Sequence, residues 1–329
     1  MLDGMFVFDN VIHLSDSSDA NLRADVTTAA HERDTLVRFT GAAAGRTWSV
    51  EEMYDIVFVQ SPTDMAMAQV VPIYDWFMDW FAPVELQHRL ASTYPDRVLF
   101  CGGVDPKYRG LADAIDQMDH QAKDLGACSF KFYNGHDRGS WRFDDENIAY
   151  PLYEKARSLG VNVLQFHKGV PFGLQDMDYM RPVDLQGAAR DFPDMTFIVQ
   201  HLAFPYIDEA MFIAARFPNV YLCLSGVAGL ALTAPRMVEE ILGKLLRFVG
   251  PEKLLWGSEA ALAGVPAPAL QAFRDLEIAE DLRRGYGYPQ ITRDDKEKIL
   301  GLNFARIMGV DVEAKKAEFG LTAAEEQPA

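Results

Sequence analysis

Eight short runs rich in apolar and β-branched residues recur along the chain: MFVFD (5–9), DIVFVQ (55–60), RVLFCGGV (97–104), CSFKFY (128–133), VNVLQF (161–166), MTFIVQ (195–200), NVYLCLS (219–225) and KLLWGS (253–258). Most are continuously apolar rather than alternating, as in strands covered on both faces of a parallel sheet. The segments between them place apolar residues at helical spacing. LADAIDQMDHQAKDLG (111–126), NIAYPLYEKARSLG (147–160) and PRMVEEILGKLLRFVG (235–250) each stop at a glycine, a residue favoured just past a helix C-terminus. Strand and helix alternating eight times predict a (β/α)8 TIM barrel, an α/β fold, in one domain over 1–311.

Two stretches depart from the repeat. Residues 14–54 are too long for an ordinary connection and read as a lid or partner-binding insertion. The tail 312–329 reads as a short helix with frayed residues beyond it. The Met- and aromatic-rich segment MAMAQVVPIYDWFMDWF (65–81) has the spacing of a buried helix face.

Composition narrows the function without naming it. The 329 residues are 49% hydrophobic and 24% charged, with a net charge of −17. No basic stripe is available to neutralise phosphates, so no nucleic-acid partner is expected. Cys101, Cys128 and Cys223 lie in separate predicted strands and read as small buried hydrophobes, as suits a reducing cytoplasm. No signal peptide and no membrane span are expected.

In a barrel, the C-terminal ends of all strands face one rim, where the chemistry of such enzymes sits. Asp9 ends the first predicted strand and His13 follows it. Lys131 lies in the fourth, His167 directly follows the fifth, His201 follows the sixth, and Glu259 follows the eighth. Three imidazoles and a carboxylate on one rim suit a divalent first-row metal, which polarises a carbonyl or lowers the pKa of bound water. The bland alternatives are hydrogen-bonded structural histidines, a salt bridge for Glu259 or Lys131, and a purely orienting Asp9. The other histidines, His31, His88, His120 and His136, fall in predicted helices or loops.

These residues, in this order, resemble the amidohydrolase-related family that contains aminocarboxymuconate-semialdehyde decarboxylase and the resorcylate decarboxylases. The resemblance covers nearly the whole chain: FDNVIHL at the start, GACSFKFYNG at strand four, the run from WRFDDENIAY to FHKG, QHLAFPY, LLWGSEA, and the closing KEKILGLNFARIMG. It implies that His13 and His167 are metal ligands, that His201 is the acid/base or activates water, and that Glu259 stands where the family has a metal-binding aspartate. Asp9 would add an oxygen ligand, and Lys131 would bridge two ions if carboxylated. Lys168 and Arg181 read either as groups that hold a substrate carboxylate or as solvated surface charges. Two departures stand out. Val11 replaces the first histidine of the opening motif, and Glu259 is one methylene longer than aspartate.

The resemblance therefore implies a metal-dependent hydrolase or non-oxidative decarboxylase acting on a small carboxylated substrate, with one or two Zn, Mn or Fe ions. A dinuclear iron or manganese oxygenase of the same fold, or a non-catalytic partner of an active paralogue, are the alternatives. Association as a homo-oligomer, or as a hetero-oligomer with a paralogue, is expected from the resemblance and the apolar stretch 62–84.

Overall fold

The computed structural model describes residues 2–40, 45–173 and 175–320. Eight strands form one parallel sheet in sequence order: β1 (Phe8–Ile12), β2 (Met65–Gln69), β3 (Val98–Gly103), β4 (Ser129–Phe132), β5 (Val163–Phe166), β6 (Thr196–Val199), β7 (Val220–Cys223) and β8 (Leu254–Leu255). Each strand pairs in parallel with the next. Beyond the short β8, the chain meets β1 again. Asn10 N–H donates to Trp256 O (3.1 Å) and Glu259 N–H donates to Val11 O (3.1 Å), which brings the sheet round into a (β/α)8 barrel. That contact fixes Glu259 beside the end of β1.

Seven of the eight expected strands are present, with β1 starting later than expected. The second is not at 55–60. Ser49 and Glu52 form a capping box that starts the helix Val50–Tyr54, and the chain continues through Asp55–Val59 as a wider helical turn. Val50, Met53, Ile56 and Val57 are buried while Val59 is 66% exposed, so the segment has one apolar face. The strand is MAMAQ, read from sequence as the start of a buried helix face. Alanine and methionine are weak strand formers, but pairing with both β1 and β3 outweighs local preference. The rest of the 65–81 stretch is a loop whose Trp76, Phe77 and Phe81 pack in a separate cluster with Val71, Ile73 and Leu36. Leu36 belongs to the helix Ala29–Thr40, which fills part of the long connection after β1.

The barrel interior changes character with height. Its lower layers are apolar, with Phe8, Val11, Met67, Cys101, Ile198 and Cys223 packed over Phe304 from the closing helix. Burial pushes the Cys101 and Cys223 thiols up to about 12, so both are small hydrophobes as expected, while Cys128 is half-buried. Above them lies a layer of amides. Gln69 donates to Asn10 O (2.6 Å) and to Gln165 Oε1 (2.8 Å), and Gln200 donates to the same Gln165 oxygen. Ser225 donates to Gln200 Oε1 at 2.9 Å. This connected polar layer carries the mouth of the barrel. The tail forms the helix Val312–Glu318, and the frayed end expected at 321–329 lies outside the described residues. Among the described residues, no helix is long and apolar enough to cross a membrane.

Candidate active site

His13, directly after β1, donates from Nδ1 to the carbonyl of Gln69 at 2.8 Å, since a carbonyl only accepts. Its Nε2 faces Glu259 Oε2 at 3.4 Å. Glu259 Oε1 faces His201 Nδ1, also at 3.4 Å. Glu259 and His201 are non-glycine residues in the left-handed region, with φ of 60° and 58°. Such backbone is uncommon and persists where the surroundings enforce it. Here it turns both side chains inward.

The proton positions follow from the partners. His167 Nε2 meets the carbonyl of Val170 at 3.2 Å and must donate to it. The ring is neutral, because burial, His201 and Lys131 push its pKa well below the ordinary value. Its Nδ1 lies 3.0 Å from His201 Nε2. The ring of His201 has partners on both sides, His167 at Nε2, and Ser225 O at 3.3 Å and Glu259 Oε1 at 3.4 Å from Nδ1. Burial and Lys131 outweigh the attraction of Glu259 and bring the His201 pKa down to about 4. Ser225 positions this ring, its hydroxyl lying 3.1 Å from Nδ1 and accepting from His201 N–H. Glu259 is an anion: burial pushes its pKa up, but His201, His13 and Lys131 together bring it down to about 2. Tyr133 stacks on His167 with ring centres 4.1 Å apart. Gly169, at φ 67°, lets the loop after β5 run against the one after β6, where a Cβ would lie 2.2 Å from Phe204 O.

His13, His201 and Glu259 form the floor of a cavity of about 580 Å³. Its walls are apolar, built from side chains such as Val71, Ile73, Phe81, Phe172 and Leu262, with Leu36 reaching in from the long connection after β1.

The other candidates lie elsewhere. His167 backs His201 but does not line the cavity. Asp9 stitches β1 to the end of β8, its Oδ1 accepting from Val11 N–H (3.1 Å) and Ser258 N–H (2.9 Å). Burial outweighs these bonds and raises its pKa to about 7. Lys131 lies in the amide layer, donating to Gln69 Oε1 at 3.3 Å, and burial outweighs Glu259 to bring it to about 8. Lys168 is buried in an ion pair with Asp184 at 2.8 Å. Arg181 pairs with Glu209 at the surface. Among the described residues no lysine or arginine lines the cavity, and Lys168 and Arg181 are not brought together there. Sequence reading missed Ser225 as a partner of His201, although its place at the end of the seventh strand pointed to it. Gln69 was hidden by the misplaced second strand.

The family model described as amidohydrolase matches residues 27–310. The chain belongs to the amidohydrolase family. The match starts after β1, so Asp9, Val11 and His13 lie outside it. Amidohydrolase-fold structures similar to this chain include 5-carboxyvanillate decarboxylase from Sphingomonas paucimobilis, 17% identical with a TM-score of 0.61, covering 93% of this chain and 100% of that one. An amidohydrolase from Burkholderia multivorans with bound zinc is 14% identical with a TM-score of 0.60, at 93% and 100% coverage. An uncharacterized TIM-barrel protein of Bordetella bronchiseptica is 19% identical with a TM-score of 0.61, at 93% and 99% coverage. At these identities the likeness shows the fold. The Protein fluG of Emericella nidulans is 33% identical over 98 residues, which are 29% of this chain and only 11% of that protein.

This amidohydrolase departs from its relatives' expected ligand set at two places. Val11 packs its side chain into the apolar interior and offers no donor, and both nitrogens of His167 are engaged. Among the described residues no group of three or more His, Cys, Asp or Glu side chains is placed to hold a metal ion. The floor still offers one imidazole and one carboxylate side by side: His13 Nε2 faces Glu259 Oε2 at 3.4 Å, and Glu259 Oε1 is buried with no hydrogen bond. His13 anchored through Nδ1 is the usual arrangement of a ligating imidazole. His13 and Glu259 thus fit a divalent cation with open positions, and His201 lies on the far side of the carboxylate.

Proposed function

We propose that this amidohydrolase is a hydrolase that adds water to an acyl carbon at the cavity floor. The observation that carries the reading is the buried, neutral His201 ring on the floor of an apolar cavity, its Nδ1 3.4 Å from the Glu259 carboxylate. With its one proton on Nε2, toward His167, such an imidazole is a general base. His201 takes the proton of the attacking water on Nδ1 as the oxygen–carbon bond forms. The imidazolium so made is stabilised by Glu259 on one side and, through Nε2–H, by the accepting Nδ1 of His167 on the other. His201 then returns the proton to the leaving group as its bond to carbon breaks. Ser225 keeps the ring aligned through both steps. A divalent ion held by His13 and Glu259 would supply polarisation of the carbonyl or of the water.

The test is a panel of esters and amides offered to protein dialysed against zinc or manganese, with bound metal measured in parallel. The expected result is hydrolysis that is lost in His201→Ala while the bound ion is kept. Turnover undiminished in His201→Ala would overturn the reading. No metal and no turnover would leave the non-catalytic partner subunit as the better account.

A further inference from the structure

The helix Ala29–Thr40, in the long connection after β1, turns Ala29, Glu32 and Leu36 inward as its buried side chains. Spacings of three and four put these positions on one face of a helix. Ala29 and Leu36 pack in the cluster of Val71, Ile73, Trp76, Phe77 and Phe81, and Leu36 also lines the cavity. Between them, inside an otherwise apolar contact, stands the carboxylate of Glu32, in a residue only 4% exposed. Its Oε2 fills the space beside Gly173, where an added Cβ would collide with that oxygen and with the Trp76 ring. Trp76 Nε1 donates to Asp137 Oδ2 at 3.0 Å, so a second carboxylate lies behind the same ring.

An acid is an unusual residue for the middle of such a face, and the groups around it do not neutralise it. Asp137, from the loop after β4, is a like charge, and His31 on the same helix is the one group opposing it. Trp76 and Gly173, from the loops after β2 and β5, bring no charge. Arg33 is turned away to Asp19 and Asp34. A buried glutamate without a partner cation favours its neutral form. Burial, with Asp137 adding to it, holds the Glu32 carboxyl above its ordinary value of 4.5 against the pull of His31.

We propose that the helix Ala29–Thr40 is a proton-coupled lid: it docks on the cavity wall with Glu32 neutral and lifts as Glu32 ionises, carrying Leu36 off the wall. Lifted into water, Glu32 is an ordinary carboxyl, so each docking event takes up a proton. Docking is therefore strongest below pH 4.5 and weakens as the pH rises through the raised value. That the lid covers a substrate site is taken from the reading above; the coupling of docking to the proton is not.

The experiment is amide hydrogen exchange on the full chain at pH 5.5 and pH 8, read as protection factors corrected for the intrinsic rate at each pH. Amides 33–38 of the lid are compared with those of the helix Pro235–Phe248 on the barrel wall. The expected result is that lid protection falls at least about threefold more than wall protection between the two pH values. Glu32→Gln, neutral at every pH and of the same shape, keeps the lid protected at both. Asp137→Asn removes the like charge and makes the wild-type fall smaller. Equal protection of the lid at the two pH values in the wild type overturns the proposal, and so does an undiminished fall in Glu32→Gln. Exchange is read without substrate, so a protein that hydrolyses nothing would sink the proposed reaction and leave the lid standing, while a lid indifferent to pH would do the reverse.

Discussion

Two buried histidines in this barrel sit beside carboxylates and behave in opposite ways. His136, in the loop after β4, has a carboxylate on each ring nitrogen: Asp75 at 3.0 Å from Nδ1 and Asp105 at 2.9 Å from Nε2. Burial lowers its pKa, but the hydrogen bonds and attraction of Asp105 and Asp75 prevail and raise it to about 9. It is a cation with both nitrogens committed, joining the loops after β2, β3 and β4. His201 has one carboxylate, shared with His13 and 3.4 Å away, with His167 and the Ser225 carbonyl as its other partners, and burial prevails. What separates a latch from a base is therefore how many carboxylates reach the ring and how closely. Burial and a nearby acid are common to both.

The sharpest way to break the comparison is to neutralise the acid at the floor. Glu259→Gln keeps the shape and removes the charge that stabilises a protonated His201. We expect hydrolysis to fall by about 10²- to 10⁴-fold, read as kcat/KM on the best ester of the panel. The same logic at the other histidine appears as stability. His136→Ala strands Asp75 and Asp105 without their cation and should cost about 3–5 kcal/mol in urea unfolding. This contribution has a definite pH dependence. Because the folded pKa is raised above the ordinary value of 6.5, the stabilisation is complete below pH 6.5 and is lost as pH rises through about 9. The groups facing the ring are Asp75, Asp105 and Tyr74, whose ring is tilted against it. Urea midpoints at pH 6 and pH 9.5 should differ more in the wild type than in His136→Ala.

Smaller effects sharpen the account. Ser225→Ala removes a hydroxyl that aligns His201, and an activity loss of about 10- to 100-fold is expected, without loss of fold. Arg181→Ala, an exposed partner of Glu209 outside the cavity lining, should leave kcat/KM within about twofold. A larger fall there would mean that the cavity extends to the surface near Glu209.

The barrel was legible because its strands are buried on both faces and announce themselves as apolar runs; β3 to β8 fall where those runs lie. MAMAQ escaped because neither alanine nor methionine favours a strand, and DIVFVQ misled because its β-branched residues belong to one face of a capped helix. His13, His201 and Glu259 were legible as a group because strand ends share one rim. The engagement of His167 by His201 and Val170 was not, since it depends on the direction of two rings. Lys168 and Arg181 looked like carboxylate binders because sequence shows charges and not their partners, Asp184 and Glu209. His136 looked like an ordinary loop histidine for the same reason, its two aspartates being distant in the chain.

The charge and tautomer of each buried imidazole can be read directly from ring ¹⁵N chemical shifts in histidine-labelled protein at pH 7, assigned with single His→Asn variants. The account predicts an imidazolium at His136, and neutral rings at both His167 and His201. A neutral His136, or an imidazolium at His201, would contradict it.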